Sequence, residues 1–375
     1  MSESYNFESY PPSFRPPQNI SSIQESNSDK TEPLFLDSSI PMIDFFKYTT
    51  TTLSMTTTTK YQNVDDNDDN ENNISRNLIS EACRDWGLFR LVNHGIPITL
   101  LTQLQEHAKK LFSLPYETKK TFFSSSSNNI VSPISYFWGT PALAPSGAVL
   151  AQKKGPQENN NQSLQWMEGF NVSLAQLSNM HYQDILLESF RCLLEEYGKE
   201  QGRVATEIFK ILGSDLKLGR IFQSNYLSID SGMLRVYRYP RCLEPERTWG
   251  IDVHTDSSVL SIIHQDDVGG LQVYKDHQWL DVNPLPNTLI VNIGDMLQAM
   301  SDDRYMSVKH RVKVNKHKER ISIGYFVFPA EDTIIQSTKY NPFCYADFRA
   351  QVQRDLETVG LKTGLQKFKF TTNQK

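Results

Sequence analysis

Three polar groups in the C-terminal half carry the chemistry open to this chain: His254-Thr255-Asp256, His310 far downstream, and then Arg320-Ile321-Ser322. Two imidazoles and one carboxylate can occupy one face of a six-coordinate Fe(II) and leave three positions for a bidentate organic acid and O2. Zinc prefers tetrahedral closure and gives no reason for the Arg and Ser that follow. A guanidinium set in an apolar strand needs an anion, and its planar fork suits two-point contact with a carboxylate better than a lysine would.

Strands must position these groups. His254 and Asp256 lie two apart in a segment rich in β-branched residues, Ile251 to Ile263, so a strand would point both to one face. The alternation Ser307 to Val314 predicts another strand around His310, which joins the pair only if tertiary folding lays the two side by side. Arg320 and Ser322 repeat the two-residue spacing, with Ile321 and Ile323 on the opposite face.

Other segments carry a family likeness. Asn93-His94-Gly95, Tyr136-Phe137-Trp138-Gly139, Trp166-Met167-Glu168-Gly169-Phe170, Tyr239-Pro240 and the tail Tyr340-Asn341-Pro342-Phe343 to Gly364-Leu365 accompany the H-x-D, distal His and R-x-S in order. On these motifs the chain resembles the plant 2-oxoglutarate and Fe(II)-dependent dioxygenases, and within them the gibberellin oxidases, from about Ile40 to the C-terminus. The resemblance implies that His254, Asp256 and His310 bind Fe(II) and that Arg320 and Ser322 bind the C5 carboxylate of 2-oxoglutarate. In the family motif N-x-Y-P the Asn and Tyr also contact 2-oxoglutarate. Here Tyr239 matches, while Tyr237 stands where the Asn would be, so the Asn role does not carry over.

The implied reaction consumes 2-oxoglutarate and O2, gives succinate and CO2, and usually returns a hydroxyl to substrate carbon, with ascorbate as reductant. The sharpest expectation is 2β-hydroxylation of a gibberellin-type diterpenoid carboxylate, and Arg235, Arg238, Arg241 and Arg247 are candidates to receive its carboxylate. A related dioxygenase hydroxylating, desaturating or demethylating another specialised metabolite is the alternative. A non-catalytic ligand-binding member is a third reading.

Composition agrees with an enzyme acting on a small molecule. The chain has 375 residues, 38% of them hydrophobic, enough for a large core. Net charge is −5 with no basic block, which leaves nucleic-acid binding without an electrostatic footprint. No apolar run is long enough to span a bilayer and no signal-peptide pattern opens the chain, so a cytoplasmic or nuclear protein without a membrane partner is expected, and the family resemblance implies a monomer. The four cysteines, Cys83, Cys192, Cys242 and Cys344, have no zinc or redox spacing and read as free thiols.

Four regions are expected. Residues 1–37 are polar and read as a disordered segment. Residues 38–220 form an N-terminal dioxygenase region of α/β character with polar insertions, including the Thr- and Asn-rich tract from Thr49 to Asn73 and a loop at Gly155 to Gln162. Within it, Tyr182 to Leu212 carries the periodicity of a long scaffold helix. Residues 221–335 form the barrel, and 336–375 a closing helix and tail. The fold class is α+β with a mainly β core: a double-stranded β-helix, jelly-roll or cupin-like, with flanking helices.

Some polar residues have duller explanations. His94 is expected to order a turn, Asp295 to cap a turn or helix, and His277 and His317 to be solvated. Tyr136 and Trp166 could line an apolar pocket, but aromatic residues beside strands more often pack as core.

Overall fold

The computed structural model describes residues 6–15, 40–46, 78–124, 132–139, 165–217, 232–359 and 361–370. The tract Thr49 to Asn73 and the loop Gly155 to Gln162 lie outside them, as does most of the expected N-terminal disordered segment. Residues 6–15 correct that last expectation, because they form two short 3-10 turns with Tyr10 buried. The aromatic content of this stretch explains the packing. The Tyr10 ring lies 5.6 Å from Trp138 and 6.0 Å from Trp166, and Phe14 reaches the same pair.

The strands in chain order are β1 (Met42–Asp44), β2 (Leu88–Val92), β3 (Ile134–Trp138), β4 (Glu168–Ser173), β5 (Met233–Tyr239), β6 (Trp249–His254), β7 (Leu260–Gln265), β8 (Leu271–Lys275), β9 (Gln278–Asp281), β10 (Leu289–Ile293), β11 (His310–Lys313) and β12 (Arg320–Val327), followed by the short pair β13 (Ile334–Ile335) and β14 (Phe343–Cys344). The helices are α1 (78–85), α2 (Ile98–Phe112), α3 (Tyr116–Ser124), α4 (Leu174–Leu177), α5 (Ile185–Asp215), α6 (Asp295–Met300) and α7 (Tyr345–Thr358). One sheet has the order β1-β2-β10-β7-β12-β5-β4-β3, and a smaller one the order β6-β11-β8-β9. From β5 to β8 the chain alternates between the two sheets. After the β8–β9 hairpin it alternates again through β10, β11 and β12. That winding is the expected double-stranded β-helix.

Side-chain alternation explains why the large sheet is covered on both sides. Leu234 and Val236 of β5, Ile321, Ile323 and Tyr325 of β12, Leu260 and Ile262 of β7, and Leu289, Val291 and Ile293 of β10 join one core with Phe190, Leu194, Tyr197, Val204 and Ile208 of α5. The intervening positions face the small sheet, where Tyr237, Tyr239 and Ile290 pack with Leu271, Val273 and Val312. The scaffold helix read from Tyr182 to Leu212 is thus α5, and it begins where Asp184 accepts a hydrogen bond from the Leu187 N–H at 3.0 Å. Gly270, at φ +103°, turns the chain between β7 and β8, and a Cβ there would lie 2.7 Å from the Lys313 carbonyl oxygen.

Among the described residues no helix is long and apolar enough to cross a membrane. All four cysteines are free.

Candidate active site

The antiparallel register of β6 and β11 sets His254 directly opposite His310. Side chains of such a cross-strand pair share one face of the sheet, and here the ring centroids are 4.2 Å apart. Asp256 arrives differently from the expectation. β6 ends at His254, so the carboxylate is carried by the turn into β7 rather than by the strand. Asp256 Oδ1 still comes 3.9 Å from His254 Nε2 and 3.7 Å from His310 Nε2. One ligand atom from each of the three residues lies within 4.8 Å of the others, the separation that a shared metal ion requires.

Hydrogen bonds fix which nitrogens face the centre. His254 Nδ1 lies 2.8 Å from the Asp252 carbonyl oxygen, and His310 Nδ1 lies 3.1 Å from that of Val308. A carbonyl can only accept, so both Nδ1 atoms carry a proton, and Nε2 is the nitrogen of each ring turned toward the centre. Burial and the neighbouring His310 push the His254 imidazole down to about 3, which keeps it neutral. Burial opposes charge on Asp256, but His310, His254 and the Ser261 hydroxyl outweigh it and hold the carboxyl below its usual range. Ser261 Oγ donates to Asp256 Oδ2. This donor set, two imidazole nitrogens and a carboxylate, fits Fe(II).

The second cluster lies across β5, β12 and β7. Arg320 is opposite Tyr239, and Ser322 is opposite both Tyr237 and Gln265. The Arg320 guanidinium stands 4.9 Å from the Tyr239 ring centre and donates to Ser322 Oγ at 2.9 Å and Gln265 Oε1 at 3.0 Å. Its residue is 2% exposed, its Nε has no partner, and among the described residues no carboxylate forms a direct ion pair with it, the nearby Asp266 being bonded to the Ile321 N–H instead. A guanidinium so placed is strongly disfavoured unless an anion meets it. The cradle fits the distal carboxylate of 2-oxoglutarate.

Tyr237, the departure from N-x-Y-P, sits on the same inward face. Burial pushes its phenol up against the opposing effect of Arg235, and the Asp256 charge raises it further. Arg235 Nη1 donates to Tyr237 Oη at 3.4 Å.

The other candidates separate cleanly. His94 is buried, and its Nδ1 accepts from the Ile96 N–H at 3.1 Å, so it orders its turn as expected. His94→Ala should lower stability by about 1–3 kcal/mol through the orphaned N–H, yet leave metal binding at the wild-type level; denaturant unfolding and a metal titration would check both. Asp295 occupies the first turn of α6, where Gly294 is the N-cap, and its carboxylate pairs with Lys362 instead of capping. The Tyr136 hydroxyl donates to Glu168 at 2.6 Å, and the ring packs on the outer core. Trp166 Nε1 donates to the Pro240 carbonyl oxygen at 3.1 Å. Neither aromatic residue needs a pocket-lining role.

Ser261 and Gln265 were not anticipated from sequence. Their signal is a polar residue at an inward position of an otherwise apolar strand, visible only once the inward face is known.

The fold and this cluster define an iron-dependent oxygenase, and sequence comparison agrees. The 2OG-Fe(II) oxygenase superfamily matches residues 229–329, and the family described as non-haem dioxygenase in morphine synthesis N-terminal matches residues 59–184. The chain belongs to the 2-oxoglutarate and Fe(II)-dependent dioxygenases. It is 33% identical over 307 residues to Gibberellin 2-beta-dioxygenase 8 of Arabidopsis thaliana, covering 81% of this chain and 83% of that one. Jasmonate-induced oxygenase 2 of the same plant is 35% identical over 263 residues, covering 69% of this chain and 66% of that one. Among solved structures, JOX2 in complex with 2OG, Fe and JA superposes with a TM-score of 0.62 at 29% identity, covering 84% of this chain and 85% of that one.

Proposed function

We propose that His254, Asp256 and His310 hold Fe(II), that Arg320, Ser322 and Tyr239 hold the distal carboxylate of 2-oxoglutarate, and that the enzyme hydroxylates a gibberellin-type diterpenoid, with 2β-hydroxylation the leading form. The observation that carries the co-substrate reading is the buried Arg320, which among the described residues forms no direct ion pair, on the same inward surface as a three-residue metal-binding cluster. Likeness to several gibberellin 2-beta-dioxygenases supports the substrate class.

When bound, Fe(II) activates O2 with 2-oxoglutarate as the two-electron donor, so that one oxygen enters the substrate and the other leaves in succinate, with release of CO2. The protein's part is positioning. Arg320 and Ser322 fix the far end of the co-substrate, and Tyr239 supports the guanidinium from below. The apolar inward residues Leu271, Val273 and Val312 keep water from the reacting centre.

Arg235 is the best candidate to receive the substrate's carboxylate. Its Nε is buried without a partner, its guanidinium lies 5.0 Å from the Phe326 ring centre, and among the described residues it forms no ion pair. Arg238, on the opposite face, is committed to Glu168 at 2.7 Å and Glu319 at 2.8 Å. Arg241 lies past the end of β5, and the Arg247 side chain lies outside the described residues.

The second reading is an oxygenase of another apolar plant acid. Tyr237 and the match to Jasmonate-induced oxygenase 2 favour it. Purified enzyme with Fe(II), ascorbate, O2 and 2-oxoglutarate, challenged with C19 and C20 gibberellins and with jasmonate, should yield a gibberellin product heavier by one oxygen in mass spectrometry. Oxygenation of jasmonate alone would select the second reading. For whichever acid turns over, Arg235→Met should raise KM by roughly 10–100-fold, the loss of one charge-assisted hydrogen bond, and the methyl ester should not feel the change.

A further inference from the structure

The turn that carries Asp256 is tied down by groups outside the chemistry described above. The Asp295 N–H donates to the Asp256 carbonyl oxygen at 2.8 Å, the Gly294 N–H to Val259 O at 3.0 Å and the Met296 N–H to Ser258 O at 3.1 Å. A Cβ at Gly294 would run into the Ser258 carbonyl oxygen, so the start of α6 is pressed against this turn. From the C-terminal tail, Lys362 Nζ donates to the Thr255 carbonyl oxygen at 2.8 Å and to Ser257 Oγ at 2.9 Å, and it pairs with Asp295 Oδ2 at 2.6 Å.

An ammonium group has three donors, and all three are used here. Two of them end on the residues that flank Asp256. The Lys362 and Asp295 side chains are 14% and 5% exposed, which sets this contact apart from a solvated surface pair. Lys362 is itself held in place. The Asp355 carboxylate at the end of α7 accepts the N–H groups of Thr363 at 2.9 Å and Gly364 at 3.2 Å, and Phe368 packs its ring 4.4 Å from Phe343 and 5.9 Å from Phe348.

Asp256 lies beyond the end of β6, so no sheet ladder orients it. Its carboxylate must nevertheless face two Nε2 atoms. We propose that Lys362, together with Asp295, is a positioning residue for the metal-binding turn: the C-terminal tail clamps the backbone at Thr255 and Ser257 and thereby sets the metal affinity of the His254, Asp256 and His310 cluster. The inference rests on the reading that these three residues bind metal.

The test uses the full chain with Mn(II) as the probe and reads the free ion by electron paramagnetic resonance, without turnover. Lys362→Met should weaken Mn(II) binding by roughly 10–100-fold, the range for outer partners of metal ligands. Lys362→Arg, which keeps the charge and donors, should recover part of that loss. Leu194→Ala, a truncation in the α5 core, should lower the melting temperature while leaving Mn(II) affinity unchanged. Unaltered affinity in Lys362→Met would overturn the proposal. So would an equal loss in Leu194→Ala, which would mark the effect as general destabilisation, or a Lys362→Arg variant no better than Lys362→Met. His254→Ala separates the underlying reading: if it retains Mn(II) affinity, the metal assignment falls and the clamp falls with it. If it loses affinity while Lys362→Met does not, only the clamp is wrong.

Discussion

Asp256→Ala is expected to abolish 2-oxoglutarate turnover, a loss well beyond the roughly 10–100-fold that removing an outer partner of a metal ligand causes. The change deletes the only carboxylate of the cluster, and with it the charge that balances a divalent cation between two imidazoles. It also leaves the Ser261 hydroxyl without the acceptor it now has. The check is succinate release under saturating Fe(II) and 2-oxoglutarate, paired with a metal titration of the folded variant. Retention of both metal binding and turnover would remove Asp256 from the site.

Arg320→Met should raise the KM for 2-oxoglutarate by about 100-fold or more, because loss of one member of a buried charge pair costs about 3–5 kcal/mol. Arg320→Lys should fall between wild type and Arg320→Met, since the ammonium keeps the charge but not the two-point fork. Metal affinity should stay near the wild-type value in both variants, as Arg320 bonds to Ser322 and Gln265 and to no member of the metal cluster. Measuring KM for 2-oxoglutarate beside metal affinity tests this split. Parallel loss of both would place Arg320 in the support of the barrel instead of in co-substrate binding.

These two effects differ in what made them foreseeable. Arg320 and Ser322 could be paired from sequence because a strand repeats every two residues, and the structure keeps both within β12. The same reasoning applied to His254 and Asp256 reached the right neighbours by the wrong path. The strand stops at His254, and Asp256 converges from a turn bonded to α6, to the tail and, through its carboxylate, to Ser261. His94 orders its turn by accepting from the Ile96 N–H, a role its place in Asn93-His94-Gly95 suggests. The buried aromatic contacts of residues 6–15 were hidden by a polar average over the first 37 positions, in which Tyr10 and Phe14 carry little weight.

The choice among four arginines shows the same limit. Arg235 and Arg238 are three apart in one strand, so alternation puts them on opposite faces but cannot say which face is inward. Packing of Leu234 and Val236 against the α5 core decides it, and the Glu168 and Glu319 partners of Arg238 come from β4 and from just ahead of β12.

By itself the sequence determined the chemical inventory: two histidines, an aspartate and an arginine with its serine, in an order and spacing matched to iron and a dicarboxylic acid, together with the strands and the long helix that frame them. Short-range periodicity suffices for that, because side-chain direction within one element follows from local geometry. Only the tertiary structure decided the register that sets His310 opposite His254, the burial that leaves Arg320 and Arg235 without an ion pair among the described residues, and the reach of Lys362 to the turn at Thr255. Each of these joins residues far apart in the chain, and their approach depends on how the two sheets close over one another, which no local pattern encodes.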